Sequence, residues 1–266
     1  MTRRPVTGGF VFQAASLVIS AILVHALYVT VVWPRAASDQ AAHDARMQLE
    51  PTFVPERSLW IILRDYEQES EIVLMLWALA IIGQKALALR REQALFQRDL
   101  VALGEGMRIL PEDVPGHART LQGLPEPERS SLLPRALLAA LHRFGATGSI
   151  ADASASAHNV CEGEADRLDS ELSLLRYVAW AIPAIGFIGT VRGIGDALAQ
   201  AHRAMQGDLS GVTAGLGTAF NSTLIALLLS LILMFLLHHL QSEQERLVRD
   251  AESYLDERLL LSLRAA

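Results

Sequence analysis

Two stretches decide the reading of this chain: Ala181-Ile-Pro-Ala-Ile-Gly-Phe-Ile-Gly-Thr-Val-Arg-Gly-Ile194 and Gly215-Leu-Gly-Thr-Ala-Phe-Asn-Ser-Thr-Leu-Ile-Ala-Leu227. In the first and just past it, Pro183, Gly186, Thr190, Gly193 and Ala197 recur at three- and four-residue steps, so on a helix they share one narrow face. Around the second, Gly211, Gly215, Ala219 and Thr223 repeat the pattern. Stripes of small residues let neighbouring helices approach closely inside a bilayer, where bulky side chains gain nothing by facing inward. Gly189 and Gly195 add to a glycine run that superficially matches a phosphate cradle, but inside an apolar segment close helix packing explains them better. Each stripe carries one threonine, and the spacing puts the two hydroxyls at similar depth. Spacing alone leaves two roles open: fastening a helix to itself or its neighbour, or lining a path for an ion.

Working outward, Tyr177 to Val191 is free of formal charge and its apolar character continues past Arg192 to Ala199, while Leu209 to Ser242 is free of formal charge throughout. Both are long enough to cross a hydrocarbon core as helices. Two further apolar runs precede them, Phe10 to Trp33 and Ile72 to Leu89. The first follows Arg3 and Arg4 but is too long for a typical signal-peptide core, so an uncleaved anchor is expected. In the second, Lys85 lies one turn from the end, where its stem can snorkel to the interface.

The expectation is an all-α polytopic membrane protein with four spans, at residues 10–33, 72–89, 172–199 and 209–241. Residues 34–71 are acidic overall, contain Pro51, Pro55 and Glu56, and read as a periplasmic loop ending in an amphipathic stretch from Leu59 to Tyr66. Residues 90–171 read as a helical cytoplasmic domain, with helices over Leu132 to Phe144 and Ser149 to Leu172 and a loop around Pro125 to Arg129. A tight periplasmic connection is expected at 200–208, and a helical cytoplasmic tail at 242–266, where Leu240, Leu247, Tyr254 and Leu259 to Leu263 recur near a heptad. The flanking arginines (Arg3, Arg4, Arg90, Arg91, Arg246 and Arg249) place both termini, with residues 1–9 at one of them, on the cytoplasmic side of an inner membrane.

Composition agrees with spans alternating with wet segments. The 266 residues are 51% hydrophobic, yet the mean hydropathy is only +0.28. A formal net charge of −6 and a single lysine give no basic footprint for nucleic acid. The lone cysteine, Cys161, excludes an internal disulfide framework and a cysteine metal site, and reads as a free thiol. There is no nucleophile elbow, no His-Glu-x-x-His and no phosphate loop, so neither an enzyme nor a resident cofactor or metal is expected.

The first quoted stretch closely resembles the penultimate span of the MotA/TolQ/ExbB proton-channel family, which typically reads Ala-Pro-x-Leu-Gly-Leu-x-Gly-Thr-Val-x-Gly. The second is similar to the family's last span, in which Ala-Leu-x-x-Thr precedes a small residue and Leu. The resemblance is strong from about Glu164 to Leu240 and slight before Arg90. It implies that Thr190 and Thr223 are pore-facing, with Ser222 and Asn221 beside them on the ion pathway. It also implies a homopentamer surrounding a dimer of a single-span MotB/TolR/ExbD-like partner, whose transmembrane aspartate exchanges H+ or Na+. Such a subunit is the stator of an inner-membrane motor, and four spans resemble MotA more than three-span TolQ or ExbB.

The sequence departs from the family pattern in two places. Arg192 stands where the family often has Trp, and Asp196 one turn later could pair with it at i, i+4. Asn221 stands where some relatives carry Asp. The alternative function is a non-conducting membrane scaffold or signalling anchor with the same helices. His25, alone in the first span, reads as hydrogen-bonded packing in preference to a proton relay.

Overall fold

The computed structural model describes residues 6–50, 58–98, 100 and 108–264. Arg3 and Arg4, and Pro51, Pro55 and Glu56 of the expected loop, lie outside the described residues. Among the described residues the chain is helical without a strand; one isolated parallel bridge joins Ile109 to Leu263. Four helical stretches are long and apolar enough to cross a membrane: Gly9–Met47, Tyr66–Gln97, Ile150–Ala199 and Ser210–Ser262. The chain forms two compact units, one from Met1–Ile82 and Leu174–Leu237, the other from Gly83–Ser173 and His238–Ala266.

In the first unit, α1 (Val6–Leu27) passes through a π-helical turn at Tyr28–Val32 into α2 (Trp33–Leu49). Pro34 explains the turn: it has no N–H to continue the ladder and its ring crowds the preceding turn, and the wider π geometry, with Trp33 N–H bonded to the Tyr28 carbonyl, absorbs the mismatch. The helix then runs on through fifteen residues that charge alone marks as loop. Ala36, Ala37, Ala41, Ala42 and Ala45 supply high helix propensity there, and this outweighs the polar composition. Residues 34–71 are thus largely helical, with α3 (Leu59–Ile62) and the start of α4 (Tyr66–Gln93) following the undescribed segment. Val24, Tyr28 and Val32 pack with Trp33, Trp60, Leu63, Ile72 and Val73.

Helix α9 (Ser173–Ala199) buries Leu175, Val178, Ala179, Ile182, Gly186, Gly189, Gly193 and Ala197, a single stripe that turns from bulky to small along the helix. Tyr177, Trp180, Phe187, Ile188 and Val191 point outward. Helix α11 (Ser210–Tyr254) likewise buries Gly215, Ala219, Ser222 and Ala226 and exposes Phe220, Leu227, Leu231 and Phe235. Small residues inside and large apolar residues outside invert the pattern of a water-soluble core and match a lipid-facing bundle. Between them the short connection at 200–208 holds a five-residue helix, α10 (Ala201–Met205). Gly207 at φ +94° reverses the chain, and Asp208 accepts from the Ser210 N–H at 3.0 Å and from its hydroxyl, which holds the exposed Asp208 carboxyl below its ordinary range.

The second unit is built on the pairing of α7 (Leu132–Thr147) with α8 (Ile150–Glu171). Leu133, Leu137, Ala140, Leu141 and Phe144 of α7 meet a face of α8 carrying Ala153, Ala157 and Cys161, whose thiol is free and buried. Gly148 at φ +66° ends α7 in the left-handed conformation, and the Ser149 hydroxyl accepts from the Asp152 N–H at 3.2 Å to start α8. Two shorter helices, α5 (Val114–Gln122) and α6 (Glu126–Arg129), precede them; α6 occupies the expected loop as a single turn that Pro125 opens. Glu164, buried on α8, takes hydrogen bonds from Arg135 (2.9 Å) and Arg167 (3.1 Å from Nε), and Arg167 and Lys85 both reach Glu171 at 2.7 Å. Lys85 is therefore ion-paired at the end of its apolar run. The tail of α11 buries Leu240, Leu247 and Ala251, and the π-helical turn Leu255–Leu259 that follows it buries Leu255.

Candidate functional site

The centre of the first unit is the crossing of α9 and α11, and the glycines set its geometry. A Cβ added to Gly193 would lie 2.6 Å from the backbone N of Ala219 and from the carbonyl of Gly215. One added to Gly215 would lie 2.7 Å from the backbone N of Ala197 and from the carbonyl of Gly193. Backbone touches backbone here, so no side-chain adjustment could make room. Gly186 and Gly189 are closed by Ala226 and Ser222, at 2.4 and 2.5 Å, and Gly211 by the Gln200 side chain, whereas Gly195 and Gly217 face open space.

That approach brings the two threonines together. Thr190 and Thr223 share a hydrogen bond between their hydroxyls; Thr190 Oγ1 lies 3.2 Å from the Gly186 carbonyl and 3.0 Å from the Ala219 carbonyl, and Thr223 Oγ1 lies 3.3 Å from the Gly186 carbonyl. A hydroxyl has one proton to give, so these contacts are alternative donor arrangements around a half-buried pair. Switching between them moves a hydroxyl proton without moving a helix.

The other two residues expected on this path lie elsewhere. Ser222 is buried against Gly189, with its Oγ 3.4 Å from Gln68 Nε2. Asn221 lines a separate cavity with Gln40, His43, Asp65 and Thr218. Consecutive helical residues point about 100° apart, so Asn221, Ser222 and Thr223 serve three different neighbours.

Pro183 sits inside α9 and cannot donate to the Ala179 carbonyl four residues earlier. Ser230 of α11 does so instead, at 3.1 Å. In hydrocarbon a carbonyl left without a donor is costly, and a hydroxyl from a neighbouring helix is the remedy.

Charge gathers at the start of α4. Arg192 donates from Nε and Nη2 to the two oxygens of Glu67, both at 2.7 Å, and its Nη2 lies 3.6 Å from Asp65. This fork-to-fork pair joins α9 to α4, so the hydrogen bonds of Arg192 run across helices and not along α9 to Asp196, which stays exposed. His25 lies 2.7 Å from Glu69 through Nδ1 and edge-on to Trp33. Sequence reasoning missed Glu67, Glu71 and Ser230. Glu67 and Glu71 are four apart and share a helix face, a signal that could have been read had α4 been extended back to Tyr66.

Four helical stretches long and apolar enough to cross a membrane, two of them (α9 and α11) with glycine, alanine and hydroxyl side chains inside and bulky apolar ones outside, define a polytopic helical membrane protein. Residues 129–253 match the family model of the MotA/TolQ/ExbB proton channel family, so the resemblance of the two motifs holds over the segment that carries Thr190 and Thr223. No curated protein and no solved structure matches the chain.

Proposed function

We propose that this chain is the ion-conducting stator subunit of an inner-membrane motor, a pentamer surrounding a dimer of a single-span MotB/TolR/ExbD-like protein. The observation that carries the reading is the Thr190 and Thr223 hydroxyl pair at the closest approach of two membrane-type helices. A carboxylate that gains and loses an ion within a bilayer needs a polar wall that solvates it without holding it. Neutral hydroxyls that both donate and accept provide one. The titratable aspartate belongs to the partner, the coupling ion is H+ or Na+, and a mismatch between five subunits and two partners lets successive ion transfers turn one against the other. In this reading residues 90–171 and 242–266 form the cytoplasmic part, with 34–71 and 200–208 periplasmic, an orientation that the arginine flanks support.

One observation favours a second reading, the non-conducting scaffold. Both hydroxyls already have carbonyl acceptors at Gly186 and Ala219 and could serve only as fasteners. Two measurements decide. The detergent-extracted complex, co-expressed with a single-span protein bearing a membrane aspartate, is expected to have the mass of five copies with two. In vesicles, Thr223→Val is expected to abolish ion flux and Thr223→Ser to preserve it. Full activity in Thr190→Val/Thr223→Val would establish the scaffold instead.

A further inference from the structure

Among the described residues two carboxylates, Glu164 and Glu71, are buried, and they are treated in opposite ways. Glu164 is met by two arginines. Glu71, fully buried on α4, has no hydrogen-bond donor at either oxygen. One turn earlier on the same helix, the buried Gln68 also has its carbonyl oxygen without a donor. Every carboxylate and amide oxygen in this group is an acceptor in want of a proton.

Among the described residues no cation is paired with Glu71. On its own helix Glu67, one turn earlier, takes two hydrogen bonds from Arg192 of α9. Asp65 shares that arginine, and Glu69 is bonded to His25 of α1. From the π-helical turn after α1 the buried Tyr28 phenol, also without a hydrogen-bond partner among the described residues, lies within electrostatic reach of Glu71. From α9 Glu71 faces Gly186, where an added Cβ would meet its carboxylate together with Ala226 and the Ser222 carbonyl of α11, and none of these neighbours titrates. An isolated carboxylate taken out of water is strongly disfavoured, and neutralisation is the usual escape.

We infer that Glu71 is a proton-binding site of this subunit, a carboxylic acid whose bound proton neutralises the buried carboxylate and turns one of its oxygens into a donor. Its position gives the site a use. Glu71 Oε1 lies 3.3 Å from where a Cβ of Gly186 would stand, and the Gly186 carbonyl is the acceptor shared by Thr190 and Thr223. A proton held by this chain thus sits across one glycine from the hydroxyl pair. Only this placement on an ion path rests on the motor reading; proton binding at Glu71 does not.

The test uses the full chain in native membranes and dicyclohexylcarbodiimide, an apolar reagent that attacks protonated carboxyls. Peptide mass spectrometry is expected to find Glu71 modified at neutral pH, with modification falling in alkaline buffer, while arginine-bound Glu164 stays unmodified. An infrared difference spectrum is expected to show a protonated-carboxyl band that Glu71→Gln removes, with helical content unchanged. Absence of both signals at Glu71 would overturn the assignment. Protection by Na+ at fixed pH, with none by K+, would overturn it in favour of a sodium site. Labelling at Glu71 without ion flux in the complex would sink the motor reading and leave this site standing.

Discussion

The Ser230 hydroxyl donates to the carbonyl of Ala179 at 3.1 Å, the acceptor that Pro183 strands by lacking an N–H. A proline that would weaken an isolated helix is thereby converted into a tie between α9 and α11. Ser230→Ala is expected to destabilise the bundle by about 1 kcal/mol, the size of one interhelical hydrogen bond in a membrane. In a Pro183→Ala background the backbone N–H returns, and Ser230→Ala should then cost nearly nothing. Equilibrium unfolding of the four variants in mixed micelles measures that coupling; equal costs in both backgrounds would disprove it.

The glycines divide by what their missing side chain would meet. Gly193→Ala and Gly215→Ala drive a methyl group into backbone, and each is expected to cost about 1–3 kcal/mol, as overpacking does. Gly195→Ala and Gly217→Ala meet open space and should be neutral or stabilise by up to about 1 kcal/mol through helix propensity. Unfolding midpoints of the four single variants check the order.

Arg192 has two candidate acidic partners, and the geometry chooses one. Its pairing with Glu67 is bidentate and crosses helices, while Asp196 is exposed on its own helix. A double-mutant cycle between Arg192→Gln and Glu67→Gln is expected to give a coupling of at least about 1 kcal/mol, because Glu67 is mostly buried and removing one partner leaves a charge without compensation. The cycle between Arg192→Gln and Asp196→Asn should fall below about 0.5 kcal/mol, as exposed pairs do. Arg192→Lys keeps the charge but loses the fork, and should lie between wild type and Arg192→Gln.

The parts of the fold that were legible in the sequence are those governed by periodicity. Uninterrupted apolar runs mark the helices that carry Thr190 and Thr223, and steps of three and four residues name the inner face before any coordinate is known. What was not legible depends on partners distant in sequence. Arg192 could be matched to Asp196 because they are four residues apart, whereas its hydrogen-bonded partner Glu67 is 125 residues away. Charge in Arg35 to Leu49 suggested a loop, because alanine-rich helix propensity is a quieter signal than polarity. Glu71 was read as the last residue of that loop, and only the packing of α4 against Gly186 shows it to be inside.

Glu164 anchors the second unit as Thr190 and Thr223 anchor the first. Its carboxylate is 2% exposed, yet the arginines that hold it are 44% and 41% exposed and reach water by their far ends. Breaking the cluster therefore strands less charge than a fully buried pair would. Glu164→Gln is expected to destabilise by about 1–3 kcal/mol, below the usual cost for a fully buried pair. Because the carboxylate itself is out of water, the loss should persist in high salt. Asp250→Asn removes the exposed partner of Arg246, 3.8 Å away, and should change stability by less than about 0.5 kcal/mol at any salt concentration. Thermal unfolding of both variants at low and high ionic strength measures the contrast, and a Glu164→Gln defect that vanished in salt would show that the cluster is held by surface attraction instead of by burial.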